Sequence, residues 1–84
     1  MAQQITLTQF EAIDGAYNTL SRMGDFMTCA DPRAWIAQSQ RLDGLCIEAL
    51  GYDHVMRFES AEACAADLIV RALSSATLVL DESA

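Results

Sequence analysis

Lysine is missing from this chain, and proline, tryptophan and histidine occur once each. Five arginines stand against 12 Asp and Glu residues, for a formal charge of −7. That balance argues against direct binding to nucleic acid or to an anionic membrane, because phosphates are met mostly by Lys and Arg. Long hydrophobic runs are missing too. Asp67 and Arg71 interrupt the longest one, and nothing approaches the ~20 apolar residues of a membrane span. The opening MAQQITLTQF has neither a basic nor an apolar leader segment, so no signal peptide is expected. Together with an Ala-, Arg- and Leu-rich, lysine-free composition, this places the expected location in the cytoplasm of a bacterial host cell.

Catalytic and metal-binding patterns are equally scarce. Cys29, Cys46 and Cys64 contain no C-x-x-C pair, and His54 is the single histidine. A Cys3His metal site would need Cys29 at the same end as the others, whereas buried small hydrophobes are the commoner use of free cysteine. No Gly-rich phosphate loop, G-x-S-x-G or H-E-x-x-H is present. The carboxylates are dispersed rather than paired. No enzyme, cofactor or metal is expected.

What remains is strongly helical. Ser60 to Leu80 reads SAEACAADLIVRALSSATLVL, an apolar run with a thin polar strip of Asp67, Arg71, Ser74 and Ser75. Asp67 and Arg71, four apart, can pair on one helix face. Ser60 is its N-cap, with Glu62 favourably placed at the positive end. Upstream, Thr8 and Glu11 fit a capping box, with Thr6 as the competing cap and Ile5 and Phe10 as its hydrophobic staple. Phe10, Ile13, Tyr17, Leu20, Gly24 and Met27 make a seam of alternating three- and four-residue steps. Asp31-Pro32 supplies an N-cap and a first-turn proline. The second helix then carries Trp35, Ser39, Leu42, Leu45, Cys46 and Ala49 on one stripe and ends at Gly51, with Tyr52 packing back on Ile47. Residues 52–59 read as a connecting loop with one helical turn, residues 1–4 as a frayed end, and residues 81–84 as a polar tail.

The expected fold is all-α: a compact antiparallel three-helix bundle with helices at about 8–29, 32–50 and 60–80. Residues 1–84 make one helical domain. Helices two and three meeting around the intervening turn would set Cys46 level with Cys64, and Leu42 with Leu68. Trp35 would lie beside Phe26 and Met27. Ile36, Val70, Leu78, Met23, Phe26, Met56 and Phe58 exceed what one small core can hold, and surplus apolar groups beside polar ones mark interfaces.

The leading expectation is therefore a non-catalytic module that binds a basic protein. Its concrete form is a small acidic inhibitor from a phage or mobile element, an anti-CRISPR or similar host-takeover factor. Asp14, Asp43, Glu48, Asp53, Glu59 and Glu62 would face Arg and Lys on the target, with Met56 and Phe58 as apolar anchors. A structural homodimer joined through Val70 and Leu78 is the alternative. A small-molecule sensor lined by Trp35, Met27 and Phe26 is the third reading.

Overall fold

The structure, a computed structural model, describes residues 3–74 and 76–80. Its elements are β1 (Gln3–Thr6), α1 (Leu7–Met23), α2 (Pro32–Leu50), α3 (Tyr52–Val55), α4 (Ala61–Leu73) and β2 (Thr77–Leu80). The chain is mostly helical, but it is not all-α. β1 and β2 pair in parallel, Gln3 level with Thr77 and Thr6 with Leu80.

Helix α1 starts on the competing cap. The Thr6 hydroxyl accepts from the Gln9 N–H at 3.1 Å, and the Gln9 side-chain oxygen accepts from the Thr6 N–H at 3.0 Å. This reciprocal box ends β1 and begins α1 at one residue, so the box expected at Thr8 and Glu11 is not the one used. Ile5 and Phe10 hold the staple positions; Ile5 is in the core and the half-buried Phe10 packs against it. The helix stops at Met23 rather than near residue 29. Gly24 takes φ +81°, a conformation that L side chains rarely adopt, and its carbonyl accepts from Trp35 Nε1 at 3.0 Å. Stopping α1 therefore also ties it to the first turn of α2. Phe26 meets the Trp35 ring at 5.4 Å, as expected, whereas Met27 is 82% exposed.

Helix α2 keeps the expected bounds. Asp31 accepts from the Ala34 N–H, and Pro32 occupies the first turn. Gly51 closes it with φ +91° and ψ 148°, outside the left-handed helical region, and its N–H donates to the Ile47 carbonyl at 2.8 Å. Tyr52 therefore does not fold back as a Schellman closure requires; it opens the single turn of α3.

Helix α4 starts where expected, with the Ser60 hydroxyl accepting from the Ala63 N–H. It ends at Leu73, not at residue 80. The Ser74 hydroxyl and the Ala76 N–H both donate to the Arg71 carbonyl, which closes the last turn. Thr77-Leu78-Val79-Leu80 then alternates inward and outward with period two. Gln3 and Gln4, expected to fray, supply half of its partner strand. The tail at 81–84 lies outside the described residues.

α1, α2 and α4 pack against one another pairwise around one cluster. Ile13, Ala16 and Leu20 come from α1, Leu42 and Cys46 from α2, and Cys64, Ala65 and Leu68 from α4. Val55 closes it from α3 and Ile5 from β1. Cys46 and Cys64 are buried in this same cluster, near enough that the Cys64 thiol helps raise Cys46. Both are free thiols.

Thr77 is buried on the inner face of β2, and its hydroxyl has no hydrogen-bond partner among the described residues. A buried unsatisfied hydroxyl costs about 1–3 kcal/mol. Thr77→Val, near-isosteric and apolar, should therefore stabilise the fold by about 1 kcal/mol, read as a raised urea midpoint at unchanged slope.

Candidate interaction surface

Every acidic residue described lies at least partly at the surface; none is buried. Among the described residues one ion pair forms, Arg71 Nε to Asp67 at 2.8 Å, on the α4 face where the spacing predicts it. None of the other described carboxylates has a cation in contact.

They are not spread evenly. From residue 43 to residue 62 the chain leaves α2, makes the turn of α3 and enters α4. Asp43, Glu48, Asp53, Glu59 and Glu62 fall in this stretch, against Arg57 as its one fixed cation. Glu48, Asp53 and Glu59 are exposed; Asp43 and Glu62 are half-buried. Asp14 is half-buried on α1, outside the turn. The Asp43 charge acts weakly on both core thiols.

The apolar groups of the turn divide into two kinds. Val55 is buried, and Phe58 packs on the core with its ring 5.5 Å from that of His54. Phe58 is thus a wedge holding the turn in place as much as an outward anchor. Met56 is 59% exposed. Tyr52, which sequence reasoning assigned to packing on Ile47, is 61% exposed. The Met56 N–H donates to the Tyr52 carbonyl at 3.0 Å, so the two side chains sit one turn apart on the same side. The four-residue spacing was the available signal. The turn therefore offers an exposed aromatic and an exposed thioether among carboxylates.

The thiols beneath it are held in their protonated form by burial. Burial, the neighbouring Cys64 and the Asp43 charge push Cys46 up to about 12, and burial raises Cys64 as well. Among the described residues there is no cluster of three His, Cys, Asp or Glu side chains able to hold a metal, and no pocket. No described helix is long and apolar enough to cross a membrane. Val70 (64% exposed) stands on α4, but Leu78 (42%) stands on β2 and not on a helix, so the two interface candidates belong to different elements.

Comparison of the chain with protein-family models, with curated proteins and with solved structures finds no match.

Two predictions follow from the charges here. Glu48 sits in the last turn of α2, which carries no basic residue. A carboxylate there opposes the helix dipole by about 0.3–1 kcal/mol, so Glu48→Gln should raise the melting temperature, and added salt should shrink the gain. The Cys46 thiol ionises at about 12 folded, against an ordinary 9.0. Between those values the folded chain holds more protons than the unfolded one, so stability falls as pH climbs through that window. Urea titrations should show a shallower fall in Cys46→Ala than in the parent.

Proposed function

We propose that this chain is a non-catalytic binding protein whose acidic turn, residues 43–62, covers a basic surface on a protein that handles nucleic acid. Its concrete form is a small phage- or mobile-element inhibitor, an anti-CRISPR or similar host-takeover factor acting in the bacterial cytoplasm. The observation that carries the reading is the turn itself: Glu48, Asp53, Glu59 and Glu62 without cation partners around exposed Tyr52 and Met56. Charges steer the encounter and fix orientation, while exposed aromatic and thioether groups supply the contact area.

In this reading α1, α2 and α4 run antiparallel, up-down-up. Two hydrogen bonds from α2 to α1 support that order: Trp35 reaches Gly24 and Gln38 reaches Ala16, so the partners descend as the donors ascend. Glu11 and Asp14 would then lie at the same end as the acidic turn and widen its negative surface. The sensor reading has less behind it, because Trp35 and Phe26 enclose no cavity among the described residues. The homodimer reading keeps an observation of its own, the exposed apolar groups of α4 and β2, and does not compete with the acidic turn for surface.

The test is retention of a bacterial partner by the tagged chain at low and high salt, with a variant carrying Glu48→Gln, Asp53→Asn, Glu59→Gln and Glu62→Gln. A partner bound through the turn should weaken at least tenfold in the variant and be released by salt near 0.5 M, where screening is short-ranged. Retention that ignores both salt and the four substitutions would refute the reading.

A further inference from the structure

The described sheet consists of β1 and β2 alone. Each strand therefore has one paired side and one open side, and alternate residues of a strand point their N–H and C=O groups toward the open side. The two open sides are not equivalent. At β1, the Thr6 N–H is already taken by Gln9. Among the described residues, no backbone or side-chain hydrogen bond outside the strand pair reaches residues 77–80. Natural proteins blunt such an edge with lysine, proline or a charged side chain on the strand. Thr77-Leu78-Val79-Leu80 has none of these. Leu78 and Leu80 instead share the outward face, 42% and 45% exposed.

We propose that β2 pairs antiparallel with β2 of a second copy of this chain, giving a continuous four-stranded sheet in the order β1-β2-β2-β1. Charge selects the occupant. The chain carries −7 overall, so two copies repel over most approaches. The stretch from Leu68 to Leu80 holds one charge, Arg71, already paired with Asp67. Two copies can meet there without bringing like charges together. Charge also selects the direction. Chain order puts Asp81 and Glu82 directly after β2; antiparallel pairing carries the two acidic ends apart, whereas parallel pairing would set them side by side. A two-fold axis through Val79 places Leu78 of each copy opposite Leu80 of the other. Directly opposed apolar pairs on one face are the stabilising unit of an antiparallel ladder. The same surface patch serves both copies, as a two-fold interface requires. A ribbon of four residues per copy is smaller than the ~1,200 Å² of a standard stable interface, so the affinity expected is micromolar.

The inference is independent of the acidic turn, which lies on other elements. It is tested by sedimentation of the purified full chain over a concentration series from about 1 μM to 1 mM, spanning the expected dissociation constant. The average mass should climb from 9.2 kDa toward twice that value. The charge-neutral double variant Leu78→Gln, Leu80→Gln should weaken dimerisation at least tenfold with an unchanged far-ultraviolet spectrum. The matching pair on α4, Val70→Gln with Leu73→Gln, should change it less than threefold. Hydrogen exchange on the unaltered chain supplies a readout that needs no variant: amides within 77–80 should slow at least tenfold from the dilute to the concentrated end. A monomer throughout the series would overturn the proposal. So would a dimer indifferent to the β2 pair but abolished by the α4 pair, or amide exchange at 77–80 that ignores concentration.

Discussion

The close approach of α2 and α4 at Cys46 and Cys64 is the constraint on which the rest of this fold depends. Both thiols and the adjacent Ala65 are fully buried. Small side chains at that line let two helix surfaces come near, while Leu42 and Leu68 fill the space to either side and Ile13 and Leu20 close it from α1. A close-packed protein interior tolerates little change in volume. Everything between the two helices must then fit the gap they set. Gly51 turns the chain in a conformation that only glycine takes at low cost. Val55 and Phe58 pin the turn from inside, and its polar residues are forced outward. At the other end of α4, the Arg71 carbonyl gathers two hydrogen bonds and releases the chain toward β1.

Much of this was legible in the residues, and the part that was not has a physical cause. Asp31-Pro32, Ser60 and Gly51 are local signals whose meaning does not depend on distant partners, and each bounds an element in the structure. The α1 seam was legible where it was packed, at Ile13, Tyr17 and Leu20. Beyond Met23 the seam breaks off, because Gly24, whose spacing continues it and which could equally mark a bend, takes a positive φ and ends the helix. The strand pair was missed for a different reason. A threonine and three apolar residues, as at 77–80, fit a helix face or a strand equally well, and the partner that decides between them lies at the opposite end of the chain. Thr6 was weighed as a cap, but its role as the junction of strand and helix was visible only with β2 beside it. Of the surface residues, Met56 was legible as an exposed group. Tyr52 was not, because the turn of α3 redirects it.

The placement of charge cuts across the logic of stability. Asp31, Glu62 and Asp67 serve the fold, as a cap, as a carboxylate in a first helical turn and as an ion-pair partner. Glu48 does the reverse at the end of α2. Four of the five arginines make no ion pair among the described residues, although 12 carboxylates are present in the chain. Charges that a fold leaves uncompensated, or holds against a helix dipole, are where a sequence departs from what stability alone would choose. Below the turn lie two buried thiols, both raised above the ordinary thiol range first of all by burial.

The most direct measurement is site-specific photo-crosslinking in bacterial lysate. A photoreactive residue would replace Met56 in the acidic turn or Ile36 on the exposed side of α2, with salt varied for each. The account predicts a discrete crosslinked product from position 56 that fades as salt rises toward about 0.5 M, where charge steering is screened, and none from position 36. Equal labelling from both positions, or a product at 56 indifferent to salt, would contradict it.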